Sequence, residues 1–148
     1  MRKNFYIAVV FFFLLWGCGT QEGTVKVRVL SDKSGEELAS FKAEVADDAQ
    51  ERTMGLMFRS KLGPGEAMLF IFPQDSLSPF WMQNTLISLD IIFVGADKKI
   101  VSWVAQAPPQ TTEPRYPEGP YRYVLEIAGG RAKELGIQPG DRLEFDLP

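Results

Sequence analysis

Histidine is absent from this chain, and cysteine occurs once, at Cys18. The first absence closes every mechanism that needs an imidazole, including Ser-His-Asp triads, Cys-His nucleophiles and ordinary zinc sites. The second means that the chain can form no internal disulfide. Basic residues are outnumbered, 16 Lys and Arg against 19 Asp and Glu. With no basic block to follow a phosphate backbone, nucleic acid is not an expected partner. Any catalysis would have to use Asp, Glu, Lys, Tyr or Ser. No cofactor and no metal is expected from this inventory.

A long hydrophobic run is also missing. Met1-Arg2-Lys3-Asn4 leads into an apolar stretch from Phe5 to Trp16. That is well short of the roughly 20 apolar residues a membrane helix needs. A short positive region followed by such a core is the pattern of a secretory signal. It ends Leu15-Trp16-Gly17-Cys18. A small residue before cysteine, with Leu three positions ahead of it, resembles the cleavage box of bacterial lipoproteins. The resemblance implies that residues 1–17 are removed and that Cys18 then carries lipid. The protein would sit outside the cytoplasm, tethered to a membrane. Gly19 follows where an inner-membrane retention signal usually has Asp. In a cell with two membranes this favours the outer one, facing the periplasm. The other reading of these residues is an uncleaved anchor with an incidental cysteine. Loss of Arg2 and Lys3 would make the remainder more acidic than the formal −3 of the whole chain. Residues 18–24 then form a tether, and 25–148 suffice for one domain.

Alternation of apolar and charged residues predicts strands at 25–29 and 41–45, joined as a hairpin through the Ser34-Gly35 turn. Asp48 with Glu51 three residues on is a helix N-cap signature. Met54, Leu56 and Met57 are expected to dock that short helix. Continuous apolar runs predict buried strands at 67–72 and 89–94. Further strands are expected at 80–82, 100–104, 121–127 and 142–145, and a second helical turn at 132–135, stopped by Gly136. Pro139-Gly140 reads as a type II turn. Residues 107–120 hold five prolines, Pro108, Pro109, Pro114, Pro117 and Pro120. Proline at that density cannot sit inside a sheet, so this is a long surface loop. About eight strands, two short helices and mostly hairpin connections predict a single mainly β domain, an antiparallel barrel or sandwich.

The run Phe80-Trp81-Met82-Gln83-Asn84-Thr85, followed by Leu89-Asp90-Ile91-Ile92-Phe93, places polar groups in strongly apolar company. Buried polar groups need partners, so the stretch either braces the fold or lines a site. Its neighbours in sequence are equally distinctive: Gly55-Leu56-Met57-Phe58-Arg59, Met68-Leu69-Phe70, Val124-Leu125-Glu126 and Gly140-Asp141. Their order closely resembles the family known as domain of unknown function 192, over roughly residues 25–148. Ala67 stands where that family usually has Gly, and Ser88 where it usually has Pro. The resemblance implies a compact β-rich fold in an extracytoplasmic or membrane-tethered setting, and no established activity.

The polar residues within these motifs are Arg59, Asn84, Thr85, Asp90 and Glu126, with Trp81 beside them. As a binding set, Arg59 would clamp an anionic ligand that Asn84 and Thr85 orient. As a structural set, Arg59 would pair internally with Asp90 or Glu126. Asp90 and Glu126 could also serve a hydrolase as a carboxylate pair. Met54, Met57, Met68 and Met82 could offer soft ligands to Cu(I), although methionine more often fills cores. Backbone N–H groups after Gly129-Gly130 could hold an anion. The expected function is a non-catalytic module that binds a ligand or partner at the cell envelope. Its mouth would lie between residues 81–90 and the proline-rich loop, with Trp103, Tyr116 and Tyr121 as aromatic surface. A hydrolase and a purely architectural protein are the alternatives.

Overall fold

The computed structural model describes residues 23–147. The expected signal segment and Cys18 lie outside the described residues. Among the described residues seven strands are present: β1 Thr24–Leu30, β2 Glu37–Ala46, β3 Glu66–Ser76, β4 Leu89–Val94, β5 Ile100–Ala107, β6 Tyr121–Ala128 and β7 Arg142–Glu144. Two short helices, α1 Ala49–Met54 and α2 Arg131–Glu134, complete the fold. All strands join one sheet in the order β5-β4-β6-β3-β2-β1-β7.

The mainly β, mainly antiparallel reading with two short helices therefore holds, with one parallel strand pair as an exception and one strand as a correction. The sheet is not wholly antiparallel, because β2 and β3 run parallel, from Lys42 opposite Glu66 to Ala46 opposite Phe70. Residues 80–82 are not a strand either. Phe80 makes an isolated bridge to Arg115 in the proline-rich loop and pairs with no strand of the sheet. Strongly apolar residues there pack into a core without joining a ladder.

The sheet curls into a half-barrel. At one end its outermost strands meet, where Ile100 N–H donates to Asp141 O (2.8 Å) and Leu143 N–H to Lys98 O (2.8 Å). The concave side holds a core to which all seven strands contribute, including Val27, Phe41, Leu69, Ile92, Leu125 and Leu143. The alternating pattern of β1 and β2 makes this one-sided burial possible. β4 is buried at every position, because it is covered on both faces. A second core of Leu56, Met68, Phe70, Met82, Ile91, Phe93, Tyr121 and Val124 lies on the convex side.

Asp90 locks together the most irregular part of the sheet. Leu89 pairs with Ala107 and Ile91 with Val104, so Ala105 and Gln106 together stand against the single residue Asp90. This is a β-bulge, with Gln106 in the left-handed region at φ 47°. A bulge leaves a backbone group without its ladder partner, and here Gln106 N–H donates to Asp90 Oδ1 at 2.7 Å. The same oxygen accepts from Gly130 N–H at 2.9 Å, and Oδ2 accepts from Ala132 N–H at 2.8 Å. α2 has no side-chain cap of its own, so Asp90 caps it from a neighbouring strand. The anion held after Gly129-Gly130 is thus part of the chain itself. Gly130 takes φ 91°, and a Cβ on Gly129 would lie 2.4 Å from Ser88 Oγ. Both glycines are needed for this close turn.

Asp90 has no exposed surface. Asp90→Ala would leave three N–H groups, one buried and two partly buried, without their acceptor, each costing up to about 1–3 kcal/mol. We expect a total loss of about 3–5 kcal/mol in urea denaturation, and a smaller loss for Asp90→Asn, which keeps one acceptor oxygen. A loss below about 1 kcal/mol for Asp90→Ala would show that these amides find other partners.

Candidate functional site

A parallel strand pair cannot be joined by a tight hairpin and needs a crossover. The connection between β2 and β3 supplies it and carries α1 past the convex face. A capping box starts the helix. Glu51 N–H donates to Asp48 Oδ1 at 2.7 Å, and Asp48 N–H donates to Glu51 Oε2 at 3.4 Å. None of the six residues of α1 is buried. The helix is held from its flanks. Leu56, just beyond it, enters the convex core. Arg52 Nη1 donates to Ile71 O at 2.8 Å and also to Asp47 O, while its guanidinium lies 5.2 Å from the Phe72 ring centre.

Residues 78–85 form the facing wall. Phe80 anchors it by edge-to-face contacts with Phe70 at 5.3 Å and Phe93 at 5.8 Å. Tyr121 O–H donates to Ser78 O at 3.0 Å. The proline-rich loop supports this wall from behind. Phe80 and Arg115 exchange backbone hydrogen bonds, Met82 N–H donates to Thr111 O, and Gln110 N–H donates to Thr85 O. Asn84, at φ 59°, sits in the turn closed by Thr85 N–H donating to Met82 O. Asparagine tolerates that left-handed conformation better than most residues.

Between α1 and this wall lies a cavity of about 280 Å³. Its sides are Phe70, Phe72, Phe80, Trp81, Tyr121 and Met54, and it reaches down to Thr85 and Glu126. Glu126 sits on β6 opposite Met68 and Ile91, in the middle of the convex core. It is only 4% exposed. Its carboxyl group has no hydrogen-bond partner among the described residues, and burial pushes its pKa up to about 8. The cavity therefore ends on a carboxylic acid that is mostly neutral at pH 7 and has an unused bonding capacity.

The residues expected from sequence separate. Trp81, half exposed at the rim, and buried Thr85 and Glu126 come together at the cavity. Arg59 does not join them, nor does it pair with Asp90 or Glu126. It forms a two-pronged ion pair with Glu44, one arm at 2.8 Å, beside a second depression of about 590 Å³ behind α1. Asn84 is exposed, its carbonyl accepting from Phe58 N–H at 2.8 Å. Asp90 pairs with Ile127, whereas Glu126 pairs with Ile91, so the two carboxyls project from opposite faces of the sheet. They cannot flank one substrate.

Other expectations also change. The proline-rich loop contributes nothing to the cavity lining. Tyr121 is fully buried, Trp103 packs against the concave core, and only Tyr116 of that aromatic set is widely exposed. Met68 and Met82 are core residues, as expected of methionine, but Met54 is 49% exposed at the cavity rim. Arg52, Phe70 and Phe72, which also line the cavity, were not among the residues expected from sequence. The available signal was α1 itself, whose sequence AQERTM carries no apolar stripe to bury. Among the described residues, no group of three or more Asp, Glu, His or Cys could hold a metal ion.

Residues 29–145 match the family of domain of unknown function 192, described as Uncharacterized ACR. The chain belongs to this family. A UPF0127 protein of Pyrococcus abyssi is 31% identical over 109 residues, covering 70% of this chain and 86% of the relative. A protein of unknown function from Novosphingobium aromaticivorans has a crystal structure with 42% identity and a TM-score of 0.77, covering 82% of this chain and 84% of that one. A structure from Sinorhizobium meliloti, described as a candidate transcription regulator, has 35% identity and a TM-score of 0.80, covering 84% of this chain and 95% of that one.

The buried carboxyl group gives stability a pH dependence of known sign. Folding raises the Glu126 pKa from 4.5 to about 8. Below 4.5 both folded and unfolded chains hold the proton, and nothing is lost. Between the two values only the folded chain holds it, so stability falls as pH rises, until the full loss is reached above 8. Glu126→Gln removes this term. It should match the parent near pH 4 and exceed it by about 3–5 kcal/mol at pH 8 in urea denaturation. Equal stability of the two proteins at pH 8 would mean that Glu126 is well solvated or paired.

Proposed function

We propose that the protein is a non-catalytic binding module whose cavity between α1 and residues 78–85 takes a small ligand. The observation that carries this reading is the unpartnered Glu126 carboxyl at the end of an aromatic cavity. Buried polar groups in a bracing role are normally hydrogen-bonded, because an unmet one costs stability. A hydrolase is disfavoured, because the second carboxyl it would need lies on the other face and is taken up by three backbone amides. The cavity is also smaller than the ~300–1,000 Å³ of sites for drug-sized molecules, which suits a compact ligand.

The setting we propose is the outside of a membrane, anchored by lipid on Cys18 after removal of residues 1–17. The support is the signal-like segment and the Leu15-Trp16-Gly17-Cys18 box. The described relative from S. meliloti raises transcriptional regulation as a role. The acid-rich composition of this chain favours a small ligand over nucleic acid.

Two measurements test these statements. In a thermal-shift screen, a ligand at 100 times its Kd should stabilise the protein by about 2.7 kcal/mol. Trp81 is half exposed, so Trp81→Ala should leave the fold intact while weakening genuine cavity ligands about tenfold. Stabilising compounds indifferent to that change would remove the cavity as the site. For the anchor, Cys18→Ser should leave the chain unprocessed and without lipid; normal maturation of that variant would refute it.

A further inference from the structure

Resting on the reading of the cavity as a binding site, we infer that its ligand is a small organic cation, an ammonium group on a short apolar body, with the charge set against Glu126. Glu126 presents carboxyl lone pairs at the end of a mostly apolar cavity, whose lining also includes Arg52, Thr53, Ser78 and Gln83. Phe80 and Trp81 line the same space; Phe72, also there, already lies against the Arg52 guanidinium, and Tyr121 is fully buried. Aromatic faces attract cations through their ring quadrupoles, most strongly where water is excluded. Carboxyl and rings together favour a positive head group over a neutral or negative one.

The groups facing Glu126 do not compete for this role. Its strand neighbours Met68 on β3 and Ile91 on β4 are apolar. Residues 78–85 contribute only neutral side chains, among them Thr85 and Gln83. Tyr121, from β6 itself, has a phenol that burial pushes further above its usual pKa. α1 contributes Arg52, whose guanidinium is engaged by the Ile71 and Asp47 carbonyls and the Phe72 ring. It is turned to the protein and leaves Glu126 unmatched. Asp48 and Glu51, at the N-terminal end of α1, line the second depression and not this cavity.

An ammonium ion stabilises the charged carboxylate and so expels the proton that Glu126 holds in the empty cavity. Binding and deprotonation are then coupled. Below pH 8 each unit of pH should change affinity about tenfold, and above it affinity should level off. The group thus reports its own occupancy through proton release.

The test is isothermal titration calorimetry of the whole protein with n-butylammonium, 1-butanol and butyrate, at pH 6, 7 and 8, in buffers of differing ionisation heat. Expected are a butylammonium Kd tightening about tenfold per pH unit, and release of about one proton at pH 7. The neutral and anionic counterparts should bind at least tenfold more weakly. Glu126→Gln, its fold checked by near-UV circular dichroism, should abolish the preference and the proton release. Proton release by the parent protein stands as evidence even if that variant misfolds. Equal binding of butylammonium and butanol without proton release would overturn the cation assignment and leave the cavity reading intact. The assignment also falls alone if no probe binds while other compounds give Trp81-dependent shifts. If no compound of any class does so, both fall.

Discussion

Three backbone N–H groups from two separate stretches of chain end on the Asp90 carboxylate. One comes from the bulge in β5, and two come from the entry to α2. Without that carboxylate, one buried and two partly buried donors would lose their acceptor. The bulge accommodates the curl of the sheet, and α2 carries Ala132 into the concave core. The residues after α2 run into Gly140 and Asp141, where backbone hydrogen bonds to Ile100 bring β7 against the start of β5. One carboxylate thus holds the points on which closure of the half-barrel depends. Its partners are all main-chain amides and it has no exposed surface, so it is a structural group out of a ligand's reach.

Glu126 is the counterpart on the other face. It neighbours Asp90 in the ladder, yet it has space in front of it and, among the described residues, no hydrogen-bond partner. A sequence optimised for stability alone would place an apolar residue there. Local rules broken without structural compensation are the usual mark of a functional position. The space exists because α1 lies over the sheet without burying its own residues. That placement follows in turn from the parallel pairing of β2 and β3, which obliges the chain to cross over the convex face.

Much of the fold was legible in the sequence, because local rules governed those parts. The alternation in β1 and β2, the Asp48–Glu51 capping box and the turn at Pro139-Gly140, with Gly140 at φ 96°, all formed as expected. Residues 80–82 misled because bulky apolar residues serve a core equally well in a strand or in an extended wall. Arg59 misled because several acidic residues could have been its partner, and nothing local distinguishes Glu44 from Asp90 or Glu126. Asp90 and Glu126 looked alike, since each is a lone acid within an apolar run.

The sequence by itself determined the class of fold, the family, and the exclusion of imidazole and thiol chemistry from the domain. Those depend on composition, periodicity and the order of short motifs, which are properties of the chain alone. Only the tertiary structure decided which acid braces and which faces a cavity. That outcome depends on ladder register. Asp90 stands opposite Ile127 and Glu126 opposite Ile91, and a shift of one residue in a strand moves a side chain to the other face.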